Sequence, residues 1–77
     1  MSRTFLDDEL RTWEVYPSGS RRGFAEKPAV IFLCISDRAL RARFVDVDGD
    51  VADAERATAT LSDQKLKEML SAAQTVP

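Results

Sequence analysis

Histidine is absent from this 77-residue chain, and cysteine occurs once, at Cys34. Without an imidazole, no side chain has an ordinary pKa suited to proton transfer near neutrality. The usual zinc-binding sets lose their nitrogen ligands as well. One cysteine excludes an internal disulfide framework. Because Cys34 stands inside an apolar run, it reads as a small buried hydrophobe rather than a reactive thiol. No stretch approaches the ~20 apolar residues of a membrane-crossing helix, and residues 1–9 lack an apolar signal core. These absences lead us to expect a cytoplasmic, non-catalytic protein with no cofactor and no metal. Glycine and proline are also scarce, three of each, so the few present punctuate the chain sharply.

Charge of neither sign dominates. Residues 1–45 carry eight Lys/Arg against six Asp/Glu, and residues 46–77 carry three against seven, for a net charge of −2. Such a balance names neither a nucleic acid nor a membrane as partner. At 44% apolar, the composition is that of an ordinary globular domain. We expect a single domain over 1–77.

What is present is organised around Pro28-Ala29-Val30-Ile31-Phe32-Leu33-Cys34-Ile35-Ser36. No charge interrupts this run, and its β-branched and aromatic content predicts a central strand over 29–36 buried on both faces. Alternation places Val30, Phe32 and Cys34 on one face and Ile31, Leu33 and Ile35 on the other.

Ahead of it, Thr4-Phe5-Leu6 predicts a short strand over 4–7. Asp7-Asp8-Glu9 predicts a polar turn, since Asp side chains bond their own backbone. In the next strand, 11–16, Trp13 and Val15 share one face, and Thr12, Glu14 and Tyr16 share the other. The polar connection 17–28 has a Pro at each end and two Gly; its length suggests a mobile loop, with Phe24 available to fold back onto the sheet. Leu40-Arg41-Ala42-Arg43-Phe44 alternates apolar and basic, predicting a strand over 39–46 with Leu40, Ala42 and Phe44 inward and the arginines outward. The Ala-rich stretch after Gly49 suggests a short helix, although Thr58 and Thr60 are poor helix formers. The clearest helix spans 62–73. Ser62 is its N-cap, Asp63 sits at the positive end of its dipole, and Leu66, Met69, Leu70 and Ala73 form one stripe. Residues 74–77 read as a disordered tail.

The spacing Phe5-x-Asp7…Arg11-x-Trp13-x-Val15, the apolar strand, the Arg-bearing strand and Leu61-Ser62-Asp63-x-x-Leu66-x-x-x-Leu70 together resemble a group of small bacterial proteins of unassigned function. The resemblance covers most of the chain and departs from the group at two places. Members often have Gly where Leu10 stands, and often a Trp just ahead of the Leu-Ser that opens the helix, where this chain has Ala59 and Thr60. The resemblance implies a fold and no activity.

Four functional classes can be weighed. Catalysis would need Asp7-Asp8 or another carboxylate pair in a cleft able to shift its pKa, and a sheet-and-helix domain this small has little room for one. Asp46, Asp48 and Asp50 alternate as in a calcium loop, but such a loop needs Gly at its sixth position and Glu at its twelfth, where this chain has Val51 and Ala57; a solvated turn with an Asp helix cap is the simpler reading. Arg21, Arg22, Arg38, Arg41 and Arg43, with Tyr16 as a stacking platform, would suit a weak nucleic-acid surface, yet Glu14 shares their face and the isoelectric point is near 5.0. The best-supported class is a protein-interaction module, self-association through the sheet included. One helix covers only one face of a sheet, which leaves Ile31, Leu33 and Ile35, with Tyr16, Arg41, Arg43 and Phe24 around them, as a candidate interaction surface. The expected fold is α+β: a four-stranded antiparallel β-meander with a C-terminal helix packed on one face.

Overall fold

The computed structural model describes residues 3–18 and 28–75. Arg21, Arg22, Phe24 and residues 19–27 generally lie outside the described residues. Strands β1 (Arg3–Leu6), β2 (Thr12–Ser18), β3 (Ala29–Cys34) and β4 (Arg43–Asp46) run as an antiparallel meander. Helices α1 (Val51–Thr60) and α2 (Asp63–Ala72) follow, and β5 (Gln74–Thr75) pairs antiparallel with β4. The strand order is β1-β2-β3-β4-β5. The expected α+β meander with a C-terminal helix is therefore present, and a fifth strand closes its far edge.

Register explains the core. Phe5 lies opposite Trp13, Trp13 opposite Cys34, and Val15 opposite Phe32, so one alternate set of β1, β2 and β3 lines the inner face. Leu66 and Leu70 of α2 close over that set, with Ala57, Leu61 and Met69 packed around it. The Phe5 and Phe32 rings meet edge to face at 6.2 Å, the arrangement their quadrupoles favour. α1 contributes small residues, burying Ala54 and Thr58. Its threonines are accommodated because Thr58 Oγ1 donates to the Ala54 carbonyl and Thr60 Oγ1 to the Arg56 carbonyl, each one turn back.

The helix starts are built locally. Asp50 caps α1, its side chain accepting from the Asp53 amide while the Asp53 side chain accepts from the Asp50 amide. Gly49 before it has φ +118°, and a Cβ there would stand 2.0 Å from Asp53 Oδ2. The positive φ favours glycine, and a side chain there would have to displace the Asp53 carboxylate from the cap. The acidic run 46–50 is accordingly a strand end, a bend and a helix cap. Ser62 caps α2 as expected, accepting from the Lys65 amide.

Four expectations change. The strand expected over 39–46 begins only at Arg43, because Asp37 closes a turn: its side chain accepts from the Ala39 amide and its carbonyl from the Leu40 amide. Leu40 still packs on the inner core, but from that turn, so strand alternation does not carry it inward. Phe44 then lies opposite Ile31 on the outer face, and Arg43 opposite Phe32 on the inner one, the reverse of the expected placement. Lastly, Gln74 and Thr75, expected in a disordered tail, are β5; a two-residue strand leaves no periodic pattern to read. Pro17 and Ser18, expected in the loop, extend β2.

Candidate functional site

Among the described residues two surfaces could carry function, one polar and one apolar. The polar one is a cleft of about 280 Å³ between the β1–β2 turn and α2, with Asp7, Arg11, Arg43 and Lys67 in its walls. Asp7 organises it. Its Oδ1 accepts from the Glu9 and Arg11 amides at 2.8 and 2.9 Å, and its Oδ2 accepts from Trp13 Nε1 at 2.8 Å. Burial pushes the Asp7 carboxyl up, but the bonds from Trp13, Arg11 and Glu9 and the charge of Arg11 outweigh it and hold the pKa below the ordinary 3.8. Arg43 lies over the Trp13 ring at 5.7 Å and donates to the Leu70 carbonyl in the last turn of α2, a turn with no basic residue of its own. Lys67 pairs with Asp8, and Arg11 with Glu9. Every cation of this cleft is engaged within the chain, so the cleft reads as a polar lock on Trp13 and on the end of α2. Among the described residues no group of three or more Cys, Asp or Glu is placed to hold a metal ion, and no helix is long and apolar enough to cross a membrane.

The apolar surface is the outer face. Its cross-strand rows follow from the register: Leu6, Thr12 and Ile35; then Thr4, Glu14 and Leu33; then Tyr16, Ile31 and Phe44. Exposure changes along it. Ala29, Ile31 and Phe44 are buried, with Tyr16 packed against them. By contrast Leu33, Ile35 and Leu6 are 37%, 40% and 52% exposed. Leu10, in the turn just past the Leu6 row, is 78% exposed and has φ +63°, the only non-glycine residue described with positive φ. The four large hydrophobic residues exposed among the described residues thus lie toward the β1–β2 end of the sheet, Leu6, Leu33 and Ile35 on its outer face and Leu10 in the turn.

Of the candidate surface read from the sequence, Leu33 and Ile35 are exposed together there. Ile31 is 7% exposed and belongs to the closed part, where Tyr16 packs on it. Arg43 is on the opposite face, against Trp13. Arg41 is exposed in the connection before β4, not on a strand face, and Phe24 lies outside the described residues. Leu6 and Leu10 were missed. Leu6 was legible, since its neighbour Phe5 must alternate with it; Leu10 carried the weaker signal of a large apolar residue in an otherwise polar turn.

No protein-family model, no curated protein and no solved structure matches the chain. Function therefore rests on the geometry alone.

Proposed function

We propose that this protein is a small non-catalytic interaction module that docks another protein surface through the β1–β2 end of its outer face. The observation that carries this reading is the gathering of Leu6, Leu10, Leu33 and Ile35 in one place. Exposed leucines scattered singly need no explanation, but several at one end of a sheet do. Leu10 adds to it. A leucine in the left-handed region costs roughly 1–2 kcal/mol, and glycine would relieve that strain while removing apolar area from water. The chain keeps a strained, exposed leucine where a turn alone would favour glycine, and such outliers cluster at functional positions. A nucleic-acid surface is less well supported, because Arg43 is committed to Trp13 and α2, and Arg11 to Glu9.

Affinity capture from a lysate of the native host tests the reading, using wild type, Leu33→Asp and, from the opposite side, Glu68→Gln. A partner retained by wild type and Glu68→Gln and lost by Leu33→Asp is expected. A partner held equally by all three, or none held by any of a strictly monomeric chain, overturns it.

A further inference from the structure

Charge around the exposed apolar group is incomplete in both signs. Glu14 sits on the outer face opposite Leu33, between the Leu6 row and the Tyr16 row. It is half-buried, yet among the described residues no hydrogen bond or ion pair engages its carboxylate. Arg38 and Arg41 are exposed in the connection that follows Ile35, and neither side chain has a partner among the described residues. The other described arginines are all engaged: Arg3 with Asp63, Arg11 with Glu9, Arg43 with Leu70 and Trp13, and Arg56 with Asp53. Charges of opposite sign, without a partner among the described residues, thus occur at the same end of the sheet that exposes Leu6, Leu33 and Ile35.

We propose that the occupant of this surface is a second copy of the chain, docked about a two-fold axis with the Glu14 carboxylate of each protomer facing Arg38 and Arg41 of the other. This rests on the interaction reading above and names its partner. A two-fold contact uses one patch twice, so the patch must complement itself in shape and in charge. This patch holds exposed apolar residues, the Glu14 carboxylate among them and the guanidiniums of Arg38 and Arg41 in the connection beside them. A partner of other chemistry would have to supply both an apolar surface and its own cations; the chain already has both. Glu14 lies within the apolar face, so a cation from the facing surface is what its half-buried carboxylate would meet on docking.

Charge reversal tests this directly. Sedimentation equilibrium over a wide concentration range should show a monomer–dimer equilibrium for the wild type. Glu14→Arg alone, and Arg38→Glu/Arg41→Glu alone, should each weaken the dimer by about tenfold or more, since like charges then meet at both symmetry-related contacts. Mixing the two variants should restore dimer as a heterodimer, because both cross pairs become attractive again. Circular dichroism of each variant checks that it is folded. If Leu33→Asp abolishes the dimer but the charge reversals leave it unchanged, the apolar surface stands and the two-fold charge pairing is wrong. A dimer that survives Leu33→Asp forms elsewhere and overturns the second copy as occupant of this surface. A wild type monomeric at every concentration overturns the second copy as occupant, while the capture experiment still decides whether a different protein binds.

Discussion

The two faces of β3 carry side chains of the same chemical kind and meet different fates. Inward, Val30, Phe32 and Cys34 are at most 1% exposed, sealed by Leu66 and Leu70 from α2. Outward, Ile31 is closed over while Leu33 and Ile35 remain more than a third exposed. Hydrophobicity alone does not separate the two sets. Both described helices pack on the inner face along its length, whereas the outer face is closed only around Ile31, with Ala29, Phe44 and Tyr16, and stays open at its other end. The inner face also gathers the polar devices. Asp7 holds the Trp13 indole, Arg43 caps the end of α2, and Arg3 donates to the Thr58 and Leu61 carbonyls and to Asp63, clamping the α1–α2 junction to β1. The lesson is that one face of this sheet is finished as a core and the other is left as a surface with an apolar end.

The largest effect should come from removing the centre of the finished face. Trp13→Ala loses a fully buried indole and leaves Asp7 and Arg43 without their partner, so a loss on the order of 3–5 kcal/mol is expected, enough to unfold so small a domain. Far-UV circular dichroism in a urea titration checks it, and the wild-type tryptophan emission should be blue-shifted and poorly quenched.

The sharpest contrast between the faces is a matched pair. Leu66→Ala should cost about 2–4 kcal/mol, because its side chain is fully buried. Leu33→Ala should cost less than about 1 kcal/mol, because more than a third of it is already in water. Equal midpoints for the two in urea would erase the distinction drawn between core and surface.

Acid should act on the inner-face lock. The folded-state pKa of Asp7 lies below 3.8, so its stabilising contribution is complete above that value and is lost as pH falls through the folded-state pKa. Asp53, lowered chiefly by its bond from the Asp50 amide, adds in the same direction. Asp7→Asn should reduce stability at neutral pH by about 1–2 kcal/mol and flatten the acid limb of a stability–pH profile, leaving the share of Asp53. An unchanged acid limb would remove Asp7 from its role.

The smallest effect is expected from the clamp at the edge. Arg3→Met keeps much of the aliphatic stem and removes the bonds to Leu61 and Asp63; about 1 kcal/mol or less should be lost, since the ion pair is partly exposed. Added salt should narrow the difference from wild type in parallel urea titrations.

Much of this structure was legible before folding was considered. Alternation in residues 12–16 and 29–35 assigned each side chain to a face, because strand periodicity is a local property of the backbone. Ser62 and the Leu66, Leu70 stripe marked α2 for the same reason, as capping and helical spacing act within one turn. Phe44 and Arg43 exchanged sides because Asp37 closes a turn that shifts where β4 begins, and a turn resets the alternation that follows it. The clamps by Arg3 and Arg43 were illegible because they join residues 60 and 27 positions apart. β5 forms only because α2 delivers Gln74 and Thr75 to the open edge of β4. The sequence by itself determined which side chains share a face and where the helices start. Only the tertiary structure decided which face the helices cover and which apolar residues stay in water, because that depends on where distant segments return, and no local spacing encodes the direction of return.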